Sequence, residues 1–340
     1  MSGTPWRRPS VERRPVDVGT PPRVVAMGGG HGLANSLAAL RRVATHLTAV
    51  VTVADNGGSS GRLRDELDVL PPGDLRQALA ALCGDDEWGR TWAEVLQHRF
   101  ASSGSLHGHA VGNLLIVALW ELLGGAVDGL DWVGRLLGAQ GRVLPMSAVP
   151  LNIAAQVRGL APDDPEGLTT VRGQVEVATA RGDVVEVALE PSDPPACPET
   201  LAALDAADWV VLGPGSWFTS VIPHLLVPEL FTALHQTRAR RLVVLNLAPQ
   251  AGETEGYSPE RHLEVLAKHA PDLPVDVVLA DEKRVARPDA LRSVAARLGA
   301  ELVIEDVAAS DGTARHDPLR LAAAYEEIFS DPPRRPARVI

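Results

Sequence analysis

Lysine and cysteine are nearly absent from this sequence, and both absences exclude classes of protein. The only lysines, Lys268 and Lys283, do not complete the glycine pattern of a P-loop, so the P-loop NTPases are excluded. The only cysteines, Cys83 and Cys197, cannot make a disulfide framework in 340 residues, which favours a reducing cytoplasm. The formal net charge of −11 argues against a broad basic surface, so no nucleic-acid partner is expected.

The sequence also lacks a long uninterrupted apolar run. Its most apolar stretch, residues 110–127, contains Asn113 and several glycines, so a buried core helix is expected there rather than a membrane contact. Residues 1–22 are rich in proline and arginine without the apolar segment of a signal peptide, and they are predicted to be a disordered leader. Residues 331–340 are predicted to be a similar tail, which leaves 23–330 as one cytoplasmic domain.

Glycine, by contrast, is concentrated in three segments that each follow a short apolar strand. Glycine lets backbone N–H groups turn inward to form an anion-binding nest, and a following helix adds its positive end. Three such segments predict a ligand that carries phosphate. The residues expected to contact it are Gly28, Gly29, Gly30, His31 and Gly32 in the first segment, Asp55, Asn56, Gly58, Ser59, Ser60 and Arg62 in the second, and Gly213, Gly215 and Ser216 in the third.

Four further polar residues are candidates for the same site. His109 and Asn113 are four apart at a helix entry, where they either orient a ligand or cap the helix. A zinc site built on His109 and its neighbour His107 is not expected, because no third ligand stands at metal-site spacing. Asn246 ends an apolar strand, and Arg315 precedes the last helix, within reach of a phosphate. Two aspartates, Asp74 and Asp317, are predicted to be helix N-caps.

The order of apolar and helical patterns predicts the fold class. Short β-branched strands alternate with amphipathic helices on both sides of a central region, which indicates βαβ units. The middle of the chain, at about 151–190, instead shows hairpin-like β runs. We therefore expect an α/β protein with a Rossmann-like doubly wound, mostly parallel sheet and a small β-rich insertion. A standard NAD fingerprint is absent because Asn35 occupies the last glycine position, which disfavours an NAD(P) oxidoreductase.

Seven sequence blocks in order resemble those of the YvcK-type gluconeogenesis factors of the CofD-like family, over about residues 24–328. The blocks are MGGGHGL, TVADNGGSSGRLR, PPGDLRQALAAL, HGHAVGNL, VLGPGSWFTSVIPHLLV, NLAPQAGETEGY and RHD. The resemblance implies a cytosolic protein that binds a UDP-sugar such as UDP-N-acetylglucosamine, with roles in gluconeogenic growth, peptidoglycan synthesis and cell shape and no settled catalytic activity. It also implies that the first glycine turn, Asp55 and Arg315 lie at the ligand site.

The CofD relatives suggest an alternative function. They are transferases that move a 2-phospholactate group from a guanine-nucleotide-activated donor to a deazaflavin acceptor with a magnesium ion, and Asp55 would then bind that ion. The sequence departs from the family pattern at Asn56, where a second acid is usual, and this weakens a magnesium site. His31 and Pro318 each stand where the family usually has threonine. A homodimer is expected only because twofold assemblies are common, and regulatory protein partners are not indicated.

Overall fold

The computed structural model describes residues 20–161, 163–250 and 253–330. All but the last three residues of the predicted leader, and the whole predicted tail, lie outside the described residues. The ten strands of the described part are β1 Arg23–Gly28, β2 His46–Val51, β3 Arg142–Pro145, β4 Asn152–Arg158, β5 Leu168–Arg172, β6 Asp183–Glu190, β7 Trp209–Leu212, β8 Arg240–Val244, β9 Val277–Asp281 and β10 Glu301–Glu305.

Helices connect these strands. They are α1 Gly30–Leu40, α2 Gly58–Leu67, α3 Pro72–Ala81, α4 Glu87–Gln97, α5 Val111–Leu123, α6 Ala126–Leu137, α7 Gln174–Ala178, α8 Pro198–Ala206, α9 Ile222–Leu225, α10 Pro228–Gln236, α11 Pro259–His269, α12 Pro288–Arg297 and α13 Pro318–Ser330. A π-helical turn, Trp217–Val221, leads directly into α9. In the described part, six helices start with proline at the first helical position, because proline fixes φ and needs no hydrogen-bond partner there.

Seven strands form one parallel sheet in the order β10-β9-β8-β7-β1-β2-β3. The chain runs outward from β1 to β3 on one side and from β7 to β10 on the other, so the strand order reverses between β1 and β7. In an open α/β sheet this reversal opens a crevice at the carboxyl ends of the two strands. The inner strands β7, β8 and β9 are buried along their whole length, as expected for a parallel sheet covered on both faces.

The remaining strands form a separate antiparallel sheet in the order β5-β4-β6, which spans residues 152–190. The predicted fold class, a doubly wound parallel sheet with a small β-rich insertion, is confirmed. The short helix α7 lies between β5 and β6, in a segment for which the valine-rich pattern predicts strand.

The predicted N-caps had different outcomes. Asp317 caps α13, since its carboxylate accepts hydrogen bonds from the backbone N–H groups of Leu319 and Arg320, at 2.9 and 3.1 Å. Asp74 is not a cap: α3 begins two residues earlier, at Pro72, and Asp74 stands in the first turn with its carboxylate free for another role.

Among the described residues, no single helix combines the length and the apolar composition needed to cross a membrane. Two consecutive segments, Trp217–Leu225 and Pro228–Gln236, are together long and apolar enough to cross a membrane, by length and composition alone. The two segments meet at an angle of 71°.

Candidate functional site

A cleft of about 370 Å3 lies at the carboxyl edge of the parallel sheet, where the strand order reverses. We call it the edge cleft. Its walls come from the turn after β1, the turn after β7, the loop after β8 and the segment before α13. The lining residues are Gly29, Gly30, His31, Gly32, Asn35, Asp74, Gln174, Pro214, Gly215, Ser216, Ser220, Asn246, Leu247, Ala248, Pro249, Gln250, Ala314, Arg315 and His316.

The first and third glycine turns pack against each other through their main chains. A Cβ on Gly32 would lie 2.4 Å from the carbonyl oxygen of Pro214 and 2.5 Å from the Cα of Gly215, so no larger residue fits at position 32. Asn246 fixes the same turn from the next strand. Its Oδ1 accepts from the Gly215 N–H at 2.9 Å, and its Nδ2 donates to the Gly215 carbonyl at 2.7 Å. The floor of the edge cleft is therefore rigid main chain.

Asp74 occupies part of the first glycine turn. Its buried carboxylate accepts a hydrogen bond from the N–H of Gly30, the first residue of α1. Burial raises the pKa of Asp74 to about 7, and the nearby charge of Asp55 adds to the rise. The sequence indicated only a structural role for this residue. The structure instead places a carboxyl that titrates near neutral pH in the wall of the edge cleft.

The third turn is occupied by a carboxylate of the protein itself. Glu253 accepts hydrogen bonds from the hydroxyl of Ser216 and from the backbone N–H groups of Phe218 and Thr219. Burial raises the pKa of Glu253, while these donors favour its ionised form. Since Asn246 already holds the N–H of Gly215, the third turn directs few donors toward a ligand.

The first turn retains donors for a ligand. The opening N–H groups of a helix have no acceptor within the helix, and in α1 the earliest one used internally is that of Leu33, which bonds to Gly29. With Gly30 held by Asp74, the N–H groups of His31 and Gly32 remain at the positive end of α1. Both residues line the edge cleft, so an anion bound there gains hydrogen bonds and the helix dipole together.

The second glycine segment lies beside the edge cleft and does not line it. Asp55 accepts from the N–H of Gly57 at 2.8 Å, and its charge acts on Asp74, which lines the cleft. Asn56 binds the insertion, accepting from Val175 N–H at 3.0 Å and donating to Glu176 at 2.8 Å.

Three other predicted contacts in this segment serve local structure. Arg62 donates to the carbonyl oxygens of Ser105 and His107, at 3.2 and 2.7 Å. Ser60 accepts from the N–H of Gly73 at 2.9 Å, and Gly58 is the first residue of α2.

His109, Asn113 and Ser59 form a buried polar network away from the edge cleft. The Oγ of Ser59 lies 3.0 Å from the Nδ1 of His109 and accepts from the Nδ2 of Asn113 at 3.0 Å. Asn113 in turn accepts from the Nε of Arg76 at 2.8 Å. The network joins the start of α2 to the start of α5, which is a structural contact, although no side chain caps either helix.

The edge cleft thus gathers part of the predicted set. Of the predicted contacts, it is lined by Gly29, Gly30, His31, Gly32, Gly215, Ser216, Asn246 and Arg315. Gly28 ends β1, and Gly213, with a φ of +74°, follows β7, so both shape turns. The side chain of Arg315 is 65% exposed, and its guanidinium pairs with Asp311 at 3.1 Å.

Gln174, Gln250 and His316 also line the edge cleft, and the sequence-based set omitted them. His316 had a usable signal, because it stands next to Arg315 in the RHD block. Gln174 had none, since it lies in the insertion about 140 residues from the first glycine turn. Among the described residues, no group of three or more His, Cys, Asp or Glu side chains is arranged to hold a metal ion.

Comparisons with known proteins agree with this geometry. A Mycobacterium tuberculosis relative, named "Putative gluconeogenesis factor", is 55% identical over 308 residues, covering 90% of each chain. A Listeria innocua relative, named "Gluconeogenesis factor", is 34% identical over 316 residues, covering 90% of this chain and 95% of its own.

This chain is also similar to a protein of known structure and matches the model of a protein family. The crystal structure of a Bacillus halodurans protein of the UPF0052 family has a TM-score of 0.78 and 33% identity, covering 88% of this chain and 97% of that one. Residues 24–316 match the family described as 2-phospho-L-lactate transferase CofD. These residues include the parallel sheet, apart from Arg23 at the start of β1, and every segment of the edge cleft, and the chain therefore belongs to the CofD family.

Proposed function

We propose that this chain is a cytosolic regulatory protein that binds a nucleotide sugar of the UDP-N-acetylglucosamine type in the edge cleft. Through that ligand it would link gluconeogenic growth to peptidoglycan synthesis and cell shape. The observation that carries the proposal is a pair of N–H groups at the start of α1, those of His31 and Gly32, which have no hydrogen-bond partner among the described residues. They lie where a doubly wound sheet binds the phosphates of nucleotides.

Arg315 supplies the positive charge that the glycine turns lack. It lines the edge cleft with its side chain 65% exposed, and it pairs with the exposed Asp311. An exchange of that solvent-exposed partner for a diphosphate costs little, because exposed ion pairs contribute little to stability. A charge-assisted hydrogen bond to a phosphate contributes about 1.5 kcal/mol or more. Arg315 therefore favours a dianionic ligand over a neutral sugar.

Titration calorimetry with UDP-N-acetylglucosamine tests this proposal. Arg315→Ala is expected to weaken binding roughly tenfold, which corresponds to the loss of one charge-assisted hydrogen bond. The matched control is Arg297→Ala, which removes an equally exposed arginine from α12, outside the edge cleft. If Arg315→Ala binds as tightly as the control, Arg315 is not a ligand contact. If the unaltered chain binds no nucleotide sugar, the proposed function is wrong.

A second candidate function is phospholactate transfer, and the pair of carboxylates at Asp55 and Asp74 favours it. Asp74 contacts the first glycine turn, and its pKa is raised by burial and then by the nearby charge of Asp55, a repulsion that a divalent cation relieves. Magnesium accepts one or two protein carboxylates together with phosphate oxygens, so this pair fits such an ion. The ion would neutralise the diphosphate of an activated donor, while Asp55 orients the acceptor hydroxyl.

The two functions are separated by product formation. A transferase would join the phospholactate group of a guanine-nucleotide-activated donor to a deazaflavin hydroxyl, with a guanine nucleotide leaving. Product detected by mass spectrometry with magnesium present, and lost in Asp55→Asn, would support transfer. Tight binding of nucleotide sugar without any product would support the regulatory role.

A further inference from the structure

His316 is a buried histidine in the wall of the edge cleft, with 6% of its surface exposed. Its ring makes a hydrogen bond to the backbone of Leu245, at the end of β8. The Nε2 atom, on the other side of the ring, has no hydrogen-bond partner in the part of the chain that the structure describes. Burying a polar atom without a hydrogen-bond partner costs free energy of folding. A hydrogen bond from a bound ligand to Nε2 would offset that cost.

The hydrogen bond to Leu245 determines what Nε2 can do. It raises the pKa of His316, as a bond from the ring to a carbonyl oxygen does, and it assigns the proton of the neutral ring to Nδ1. Burial outweighs this effect and lowers the pKa of His316 to about 4, so the ring is neutral at pH 7. Nε2 is then a hydrogen-bond acceptor and needs a donor. The Oε1 of Gln250, which lines the same cleft, is a second buried acceptor without a partner in the described residues.

The distance between His316 and the first glycine turn matches the distance between the base and the diphosphate of a nucleotide. His316 lies against the ends of β8 and β9, close enough to Asp281 for their charges to interact. β8 and β9 are two and three strands away from β1, which carries the first glycine turn. With neighbouring strands about 4.8 Å apart, the separation is roughly 10–14 Å. That span suits a nucleoside whose diphosphate is bound at the first turn.

The lining of the edge cleft suits a flat aromatic base. Ala314, two residues before His316 in the chain, lines the cleft together with Leu247 and Ala248, and all three have small or apolar side chains. Nucleotide pockets commonly combine such walls with one or two placed polar groups that determine specificity.

We propose that His316 is a specificity-determining residue whose Nε2 accepts a hydrogen bond from the protonated ring nitrogen of a nucleobase. Uracil carries such an N–H at N3, and guanine carries one at N1. Cytosine and adenine present an unprotonated acceptor at the corresponding position, which would face the lone pair of Nε2. The inference rests on the proposed function, because it requires a nucleotide in the edge cleft.

The test compares UDP with CDP, which match in size and charge, in titration calorimetry of the full chain. The unaltered protein should bind UDP roughly tenfold or more tightly than CDP. In His316→Asn the side-chain amide can still donate to Leu245, but the acceptor at Nε2 is lost, so the preference should fall to about twofold or less. In His316→Gln an amide oxygen can reach the position of Nε2, and part of the preference should return. A thermal melt of each variant checks its fold.

A ligand variant makes the test independent of protein folding. UDP methylated at N3 keeps its charge and ribose but has no ring N–H, and it should bind the unaltered protein no better than CDP. An unchanged preference for UDP in His316→Asn, or tight binding of the methylated UDP, would overturn this inference and leave the proposed function standing. Failure of the unaltered protein to bind any of these nucleotides would overturn both.

Discussion

Asp74→Asn should stabilise the protein, and the gain should grow with pH. The pKa of Asp74 is raised from 3.8 to about 7, first by burial and then by the charge of Asp55. In the unfolded chain the carboxyl ionises near pH 4, whereas in the folded chain it holds its proton until about pH 7. The folded state therefore loses stability relative to the unfolded state as pH rises through this window. Asparagine has no charge to bury and can still accept from the N–H of Gly30.

The expected size follows from the shift in pKa. A rise of about three pH units corresponds to about 4 kcal/mol, at roughly 1.4 kcal/mol for each unit. The difference in unfolding free energy between Asp74→Asn and the unaltered protein should be smallest near pH 4. It should then increase and level off above pH 7. Urea unfolding followed by tryptophan fluorescence at several pH values between 4 and 8 would measure it.

A control substitution isolates the effect of burial. Asp289→Asn removes a carboxylate whose side chain is fully exposed on α12 and pairs with the exposed Arg292. It should change the unfolding free energy by less than about 1 kcal/mol at every pH. If the effect of Asp74→Asn is the same at pH 5 and pH 8, or declines as pH rises, the burial of an uncharged Asp74 is refuted.

Two further substitutions test the main-chain floor of the edge cleft. Gly32→Ala places a methyl group 2.4 Å from the Pro214 carbonyl oxygen, so it should lower the free energy of unfolding in urea by about 1–3 kcal/mol. The control is Gly134→Ala inside α6, where the nearest atom is 4.0 Å away, and it should be neutral or stabilising. Asn246→Ala removes both hydrogen bonds to Gly215 and should cost about 1–3 kcal/mol in the same assay, with weaker binding of UDP-N-acetylglucosamine in calorimetry. A variant that keeps full stability and affinity would show that these contacts do not shape the floor.

Much of the parallel sheet could be predicted from the sequence because its strands are short β-branched runs that end in turn residues. The helices Pro228–Gln236 and Pro288–Arg297 were also predictable, since a proline at the first helical position marks each start. The helix Gly58–Leu67 could not be predicted, because its first turn of glycine and serine has poor helix propensity. The helix Gln174–Ala178 was also missed, since its valines favour strand in isolation.

The sequence predicts glycine turns where strands end, and the structure places them at the carboxyl edge of the parallel sheet. How the N–H groups of each turn are used could not be predicted in the same way. Position after a strand identifies the first turn and Asn246 from local sequence alone. The occupation of the third turn by Glu253 depends on where a distant loop folds, and no local pattern reports it. Asp74 was interpreted as a cap because an aspartate near a helix start is typical of one. Only the packing of α3 against α1 reveals its contact with Gly30.

The backbone-to-backbone contact between Gly32 and the Pro214–Gly215 turn has an evolutionary consequence. A surface made of peptide groups offers no side chain to exchange, so mutation cannot readily retune how the anion is held. Differences in the ligand that relatives recognise should then accumulate at side chains in the cleft wall, such as Gln174 and His316, where one substitution replaces a donor with an acceptor. One main-chain anion site, shared by the family, would in this way support several ligand preferences and several reactions.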